Sequence, residues 1–259
     1  MTINAALRTM ASTRDLKVGH YVCEFTTPGI GHILANAGCE YIFLDGEHSG
    51  LGFDSIKATL RYLQAANLPV IVRMPSKDYH HAARTMDLGA DGLMIPMVNS
   101  AEEAASIVAH MKYAPEGKRG AAFGFAGTQY TLPKSVPDAM ATANKNTVFF
   151  PQIETKEGAD AAYEIAAVPG VDCLWVGHTD LSISLGIPGE YDHPVFVAAI
   201  DRVLDACRKN NVSTGILVTD VEGSIARYKQ GFDFICYETD VTALGTYMRA
   251  GVKAIREGV

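Results

Sequence analysis

The chain has 259 residues, of which 48% are hydrophobic and 20% are charged, so it can bury a large core. Its net charge of −7 and its lack of a basic patch argue against a nucleic-acid partner. It has neither a membrane-spanning apolar run nor a signal-peptide pattern, which predicts a cytoplasmic location and no membrane partner. The five widely spaced cysteines include no CxxC motif, and we expect them to be reduced core residues.

Apolar runs and stretches of helical spacing alternate along the chain. Residues 1–15 have the pattern of a short amphipathic helix that leads into the domain. The predicted strands are rich in β-branched and aromatic residues and comprise residues 18–25, 41–45, 69–73, 92–97, 148–150, 173–176, 213–218 and 233–237. The predicted helices comprise residues 29–37, 52–66, 79–88, 101–111, 156–166, 195–209, 221–230 and 241–256.

Eight strands that are each followed by a helix indicate an α/β protein with a parallel sheet. Alternation of this length predicts a closed (β/α)8 TIM barrel that forms a single domain over residues 1–259. An open, doubly wound sheet is the alternative, although the chain has no GxGxxG turn to support it.

Two segments interrupt the alternation. Residues 113–146 form a long insertion with Gly, Ala and Pro, which we predict to be a functional loop because long loops in compact domains usually are. Residues 186–193 form a turn with Pro and Gly, which separates a short helical turn from the helix at residues 195–209.

The stretch of residues 147–185 organises the rest of the interpretation. Its two strands lead into Glu154 and Asp180, which places both acids at the carboxyl edge of one parallel sheet. Two hard oxygen ligands predict a divalent ion such as Mg²⁺ or Mn²⁺ that keeps open positions for a substrate. Taken singly, each acid is better explained as a helix cap. The matching strand ends favour the metal site.

Side chains at the carboxyl ends of barrel strands form the active site of this fold. The other polar residues at these ends are Asp45, Glu47, His48, Arg73, Gln152 and His178. Arg73 ends an apolar strand, and its planar guanidinium suits a carboxylate or an enolate oxygen. An ordinary ion pair with Asp45 or Glu47 is the alternative interpretation of Arg73.

His48 lies three residues after Asp45. A carboxylate that orients an imidazole raises its basicity, so this pair predicts a general base near neutral pH. The alternative is a loop histidine without a role, and the flanking acids favour function. The adjacent His80 and His81 open a predicted helix instead, and we expect them to face solvent.

The turn at residues 177–180 places free backbone amides at the start of a predicted helix. Such amides bind anions, so we expect a substrate carboxylate at the N–H groups of Thr179 and Asp180. The lysines at positions 134, 145 and 156 do not follow apolar strands, as a Schiff-base lysine would. This favours metal chemistry over imine chemistry.

Six sequence segments carry a family resemblance. They are FLDGEH at 43–48, PVIVR at 69–73, LGADGLMIPMVN at 88–99, KRG at 118–120, PQIET at 151–155 and VGHTDLS at 176–182. In residue type and order they resemble the HpcH/HpaI aldolase family, from about residue 18 to the C-terminus. The resemblance implies a (β/α)8 barrel whose C-terminal helix is swapped between subunits. It also implies a homohexamer, built as a trimer of dimers, and a divalent cofactor such as Mg²⁺, Mn²⁺ or Co²⁺.

Carried over position by position, the resemblance implies that Glu154 and Asp180 bind the metal. Gln152 matches a residue behind these ligands, and Arg73 matches the arginine that contacts the keto oxygen. The sequence departs from the family at His178, where a proline is common, and this bears on the donor pocket. At residues 237–240 the chain has YETD where many members have a Val-Gly-Ser-Asp-like segment. This second departure leaves donor and acceptor preference open.

His48 and Asp45 match the family's pair for proton transfer, and the amides of Thr179 and Asp180 match its carboxylate-binding turn. The implied reaction is the reversible cleavage of 4-hydroxy-2-oxo acids through a metal-bound enolate. Its products are an aldehyde and pyruvate, or a related 2-oxo acid such as hydroxypyruvate. The alternatives are a lyase that acts on acyl-CoA thioesters, as citrate-lyase relatives do, and a 2-oxo-acid-binding barrel without turnover.

Overall fold

The computed structural model describes residues 3–259, and the side chains of residues 5–259. Within this part of the chain, eight parallel strands close into a barrel in chain order. They are β1 (Lys17–Val22), β2 (Tyr41–Asp45), β3 (Val70–Arg73), β4 (Gly92–Ile95), β5 (Val148–Ile153), β6 (Cys173–Val176), β7 (Ser213–Val218) and β8 (Phe234–Thr239). The predicted (β/α)8 barrel is confirmed.

Helices surround the barrel. Within residues 3–259 they are α1 (Ile3–Ala11), α2 (Ile30–Asn36), α3 (Phe53–Ala65), α4 (Tyr79–Asp87), α5 (Ala101–Met111), α6 (Val136–Asn146), α7 (Lys156–Asp160), α8 (Ala162–Ala166), α9 (His178–Ser184), α10 (Pro194–Asn210), α11 (Val221–Gln230) and α12 (Asp240–Glu257). The predicted helix at residues 156–166 is thus divided into α7 and α8. The first two residues of the predicted lead-in helix, Met1 and Thr2, lie outside the described residues. Among the described helices, none combines the length and the apolar character that a membrane crossing requires.

The predicted loop at residues 113–146 is wrong in its second half, which contains α6. Ser135 caps this helix by accepting a hydrogen bond from the N–H of Asp138 (3.3 Å). Pro137 lies in the first turn, where its missing N–H leaves no hydrogen bond unmade. Both features are visible in the sequence, so α6 was predictable.

Aromatic side chains fill the inside of the barrel. The ring of Phe43 meets the ring of Trp175 edge to face at 5.4 Å, and Tyr21 meets Phe43 in the same way at 4.7 Å. Leu7 of α1 belongs to this buried cluster and closes the barrel at the amino ends of the strands. A second and larger apolar layer packs the helices against the outside of the sheet. The packed interior leaves the carboxyl rim for polar side chains.

A Gly–apolar–acid sequence precedes every second strand. It occurs at residues 38–40 (GCE), 89–91 (GAD), 170–172 (GVD) and 231–233 (GFD). All four glycines have positive φ (92°, 88°, 102° and 125°), a conformation that favours glycine. Each acid accepts a hydrogen bond of 2.8 or 2.9 Å from a backbone N–H at the start of the preceding strand, and the four donors are Val18, Val70, Phe149 and Thr214. The repeat therefore fixes the amino ends of β1, β3, β5 and β7.

Basic residues around α1 neutralise two acids of this repeat. Asp172 forms an ion pair with Arg8. Asp233 pairs with Arg14 at 3.0 Å and with the buried Lys17 at 3.4 Å. These ion pairs hold the N-terminal segment against the amino ends of the barrel strands.

Asp91 is the member of the repeat that differs. Its side chain is only 1% exposed, and Oδ1 has no hydrogen-bond partner among the described residues. Burial raises the pKa of Asp91 to about 7, and the N–H of Val70 and the guanidinium of Arg61 lower it only in part. An acid can thus have a strongly raised pKa for purely structural reasons.

Candidate active site at the carboxyl ends of the strands

Asp45 lies at the end of β2, and its carboxylate is fully buried. It accepts hydrogen bonds from the hydroxyl of Tyr21 (2.6 Å), from Nε of Arg73 (2.7 Å), and from the N–H groups of Glu47 and His48 (3.0 Å each). Burial by itself would raise the pKa of Asp45, but Arg73 and the other donors hold it below its ordinary value. Asp45 is therefore a carboxylate that fixes its neighbours in place.

The structure corrects the predicted contact between Asp45 and the imidazole of His48. Asp45 binds the backbone N–H of His48 and not the ring, and its oxygens also accept hydrogen bonds from Tyr21, Arg73 and the N–H of Glu47. The acid next to the ring is Glu47, whose Oε2 lies 3.8 Å from Nε2 of His48. The His48 side chain is 66% exposed, so the imidazole stands at the mouth of the site. Its role in proton transfer stays a prediction.

Arg73 connects the two halves of the site. Its Nε binds Asp45 and lies 3.1 Å from Oε2 of Glu47, so the ion pairs that we considered as an alternative are present. Its Nη2 donates to the hydroxyl of Tyr21 (3.0 Å), and Nη1 donates to Oε1 of Gln152 (3.4 Å). Burial would lower the pKa of Arg73, but Asp45 raises it overall, so the guanidinium stays charged. The guanidinium of Arg73 thus connects the end of β2 with β5.

Glu154 follows β5 directly and is 4% exposed. Its Oε1 accepts a hydrogen bond from the N–H of Met97 (2.7 Å), and its other oxygen accepts one from the side-chain amide of Gln152. Met97 has a φ of 56°, which is uncommon for a residue with a side chain. Strained backbone of this kind clusters at functional sites, and here it directs an N–H at the acid.

Burial raises the pKa of Glu154 to about 7, and the nearby Glu47 and Asp180 contribute to the rise. The pKa of Glu47 is also raised, mainly by burial, although Arg73 and His48 act in the opposite direction. Because Nε–H of Arg73 is directed at Asp45, the buried Oε2 of Glu47 has no hydrogen bond among the described residues. The negative charges of Glu47 and Asp180 therefore act on Glu154 from two other strand ends.

These acids fit a divalent cation. Hard cations prefer carboxylate oxygens, and a positive charge would relieve the repulsion among Glu47, Glu154 and Asp180. The pairing of Ile153 with Val176 brings Glu154 next to Gly177, where a Cβ atom would collide with the Glu154 carboxylate. Glycine at this position leaves the space that the acid needs.

Thr179 and Asp180 lie in the first turn of α9, which begins immediately after β6. Both residues are exposed, and N–H groups in a first helical turn have no partner within the helix. The imidazole of His178 is half-buried and meets the ring of Tyr191 at 5.3 Å. Burial lowers the pKa of His178. The possible site residue His178 therefore joins α9 to the turn at residues 186–193.

The lysines of the chain give no support to imine chemistry. The side chain of Lys156 is 60% exposed and pairs with Asp160 at 2.6 Å. The buried Lys17 lies at the opposite end of the barrel, where it binds Asp233 and the carbonyl of Thr13.

Three residues of the site have no counterpart in the sequence-based prediction. They are Tyr21, Met97 and Asp240, whose contacts depend on the fold. The Asp240 carboxylate accepts hydrogen bonds from the N–H groups of three successive residues, Cys23, Glu24 and Phe25 (3.1, 2.9 and 2.8 Å). It thereby fixes the loop after β1. The aromatic side chain at the end of β1 was the one available signal for Tyr21.

The fold and the site define a barrel enzyme whose chemistry takes place at the carboxyl ends of the strands. The chain belongs to the HpcH/HpaI aldolase/citrate lyase family, which it matches over residues 23–244. Enzymes of this family generally depend on a divalent metal ion. The predicted family, the barrel fold and an aldolase-type lyase activity are confirmed.

Curated relatives and a solved structure agree with this assignment. The chain is 38% identical to a hydroxypyruvate/pyruvate aldolase of Chromohalobacter salexigens over 221 residues, which cover 85% of this chain and 86% of the relative. It is 33% identical to a 5-keto-4-deoxy-D-glucarate aldolase of Klebsiella pneumoniae, with 89% and 88% of the two chains covered. The crystal structure of an HpcH/HpaI aldolase from Desulfitobacterium hafniense superposes with a TM-score of 0.91 at 32% identity, covering 97% of this chain and 96% of the other.

Proposed function

We propose that this enzyme is a divalent-metal-dependent aldolase that reversibly cleaves 4-hydroxy-2-oxo acids. The products are an aldehyde and either pyruvate or hydroxypyruvate. One observation carries the proposal: the negative charges of Glu47 and Asp180 both raise the pKa of the buried Glu154, beside the charged guanidinium of Arg73. The name of the 38% identical relative supports the choice of 2-oxo acid.

Glu154 and Asp180 would hold the cation, which is Mg²⁺, Mn²⁺ or Co²⁺. Gln152 supports Glu154 through its side-chain amide, and Glu47 offers a further oxygen from the neighbouring side. When bound, such an ion polarises the 2-oxo carbonyl as a Lewis acid. The free N–H groups of Thr179 and Asp180 would receive the substrate carboxylate.

Arg73 would stabilise the charge that develops on the carbonyl oxygen. Its Nε is held by Asp45, so the guanidinium is oriented before the substrate arrives. Fixed donors of this kind are stronger in the transition state than in the ground state, because charge on the oxygen grows as the bond breaks.

Proton transfer completes the reaction. In the cleavage direction the 4-hydroxyl would give its proton to His48, the bond between C3 and C4 would break, and the electron pair would move to the 2-oxo oxygen as the aldehyde leaves. The enolate then takes a proton at C3. His48 would exchange that proton, since its ring stands at the mouth of the site next to Glu47. Asp45 would act as a positioning residue through its bond to the His48 backbone.

A substrate panel tests this proposal. We expect purified enzyme with Mg²⁺ or Mn²⁺ to release pyruvate or hydroxypyruvate from 4-hydroxy-2-oxo acids, and to leave acyl-CoA thioesters intact. Cleavage of an acyl-CoA without any 2-oxo acid product would contradict the proposal. Binding of pyruvate without turnover of any 4-hydroxy-2-oxo acid would contradict it as well.

We further propose that the enzyme is a homo-oligomer, a hexamer built as a trimer of dimers, with α12 swapped between subunits. The N-terminal part of α12 packs on β1 and β8. Farther along, the helix exposes large apolar side chains, including Tyr247 (80% exposed) and Ile255 (70%). Apolar exposure of this kind is typical of an interface. Light scattering coupled to size-exclusion chromatography tests the subunit number, and a monomer would contradict the proposal. The single-domain organisation and the cytoplasmic location stay predictions.

A further inference from the structure

Two adjacent histidines at the start of α4 lie outside the site described above. Together with Asp78 they form a group of three possible metal ligands. Their ligand atoms lie within 4.8 Å of one another. The sequence predicted that His80 and His81 face solvent. His80 does, whereas His81 is half-buried.

Asp78 occupies the N-cap position of α4 but caps no helical N–H with its side chain. An aspartate at this position ordinarily accepts a hydrogen bond from an amide of the first turn. Here Oδ2 accepts one from the hydroxyl of Ser76 (3.0 Å). The carboxylate is therefore directed at the imidazoles and not at the helix.

Ser76 also orients the ring of His81. Its Oγ lies 2.6 Å from Nδ1 of His81. Because the Ser76 hydroxyl donates its proton to Asp78, it accepts one from Nδ1–H, which selects the tautomer with a free lone pair on Nε2. Second partners of this kind are what orient histidine ligands in metal sites. The ring is held further by Phe53, at 5.7 Å between centroids.

Two basic side chains near the triad contact other groups. Lys77, which precedes Asp78 in the chain, forms an ion pair with Glu103 at 2.7 Å. The guanidinium of Arg84 stacks on Phe53 at 4.0 Å.

We propose that Asp78, His80 and His81 form a second metal site, for a transition-metal ion such as Zn²⁺. Two imidazoles and one carboxylate suit Zn²⁺, Ni²⁺ or Co²⁺, whereas Mg²⁺ prefers oxygen ligands alone. The remaining coordination positions face solvent and are open to water. The site lies just beyond β3, so a bound ion would fix the loop at residues 74–78 to the first turn of α4. This inference does not depend on the proposed aldolase reaction.

Calorimetric titration of the chelator-treated protein with Zn²⁺ alone tests the inference. The Glu154→Gln variant serves as background, because it removes an acid of the other site. We expect one Zn²⁺ per chain in this background. Adding His80→Ala should weaken binding by about tenfold or more, and Ser76→Ala should weaken it by about tenfold through the loss of the ring's orientation. His80 is exposed, so its replacement leaves the fold intact.

His32→Ala is the matched control, since His32 is an exposed histidine on α2. It should leave the Zn²⁺ affinity unchanged. Electron paramagnetic resonance with Cu²⁺ in the Glu154→Gln background should show two coordinating nitrogens, and one after His80→Ala. Unchanged Zn²⁺ binding after His80→Ala, or an equal loss after His32→Ala, would overturn the proposed site.

Discussion

At the amino ends of the strands, each acid of the Gly–apolar–acid repeat accepts a hydrogen bond from a neighbouring strand, and two of these acids are also neutralised by basic residues near α1. At the carboxyl ends, the charges of Glu47 and Asp180 act on Glu154, and one buried oxygen of Glu47 has no hydrogen bond among the described residues. The same residue type therefore holds the barrel together at one end and is available for chemistry at the other.

The difference shows which property of an acid indicates function. Asp91 and Glu154 both have pKa values of about 7. The pKa of Asp91 is raised by burial alone, in a position that the fold repeats four times. The pKa of Glu154 is raised by burial and also by two further acids on other strands. Acids from several strand ends that act on one carboxyl group, and not a raised pKa by itself, mark the candidate site.

The largest expected effect comes from replacing an acid at the carboxyl ends of the strands and comparing it with the replacement of an acid at the amino ends. Glu154→Gln should abolish Mg²⁺ and Mn²⁺ binding at the carboxyl ends and reduce aldol cleavage by more than about 10²-fold, because a Lewis acid contributes several kcal/mol to such reactions. Its thermal stability should be unimpaired, since the variant removes a buried charge. Asp233→Asn is the matched control, and it should lower the melting temperature while the turnover per folded molecule is kept. Stoichiometric Mg²⁺ or Mn²⁺ binding by Glu154→Gln would refute the site.

A second variant tests proton transfer within the site. His48→Ala should still bind the metal ion and pyruvate, because the His48 side chain is exposed and makes no hydrogen bond to Glu154 among the described residues. Exchange of the pyruvate methyl protons with deuterium, followed by NMR, should slow by ~10²–10⁴-fold, the usual contribution of a general base. Exchange at the parental rate would assign the base to another group. Loss of metal binding would make His48 a ligand.

The guanidinium of Arg73 should contribute to catalysis through its planar shape as well as through its charge. Arg73→Lys keeps the charge but loses the fork that binds Asp45 and Gln152 together. We expect kcat to fall by more than about tenfold, or ~1.4 kcal/mol, which is the scale of one charge-assisted hydrogen bond. Steady-state kinetics measure this effect. An unchanged kcat with a higher KM would mean that Arg73 only attracts the substrate.

The variant with the smallest expected effect on turnover changes stability at the amino ends. The pKa of Asp91 rises from 3.8 to about 7 on folding, so between these values the folded protein holds a proton that the unfolded chain has released. The stabilisation is fully present below pH ~4 and is lost as the pH rises through ~7, by up to ~1.4 kcal/mol per pH unit. Asp91→Asn should remove this dependence.

Urea denaturation at several pH values between 4 and 8 measures the free energy of unfolding of both proteins. The difference between parent and Asp91→Asn should change steadily across this range, in favour of the variant at higher pH. Two parallel curves would show that Asp91 keeps an ordinary pKa in the folded protein.

Much of the fold was predictable because buried parallel strands have a simple signature. Continuous apolar runs such as residues 69–73 gave the strands, and the polar residues that end them, including Arg73 and Glu154, gave the position of the site. The cap of α6 at Ser135 and the four Gly–apolar–acid sequences were also visible in the sequence. They were missed because each is short and its meaning depends on repetition or on a neighbouring signal.

The contacts inside the site were not predictable from spacing. Asp45 lies three residues before His48, which suggested a contact with the imidazole. The fold instead brings the hydroxyl of Tyr21 and the guanidinium of Arg73 to Asp45, from strands 24 and 28 residues away in sequence. The left-handed conformation of Met97 likewise follows from its bond to Glu154 and not from its residue type.

The most direct test of the account is aldol cleavage before and after removal of divalent ions. Cleavage of a 4-hydroxy-2-oxo acid to pyruvate is followed in untreated enzyme, in enzyme treated exhaustively with EDTA, and after Mg²⁺ or Mn²⁺ is added back. Because the acids at the carboxyl ends fit a cation, and because Lys156 after β5 is exposed and paired with Asp160, we expect chelation to stop turnover and added metal to restore it. Full activity after exhaustive chelation, or a pyruvate adduct trapped by borohydride, would contradict the account.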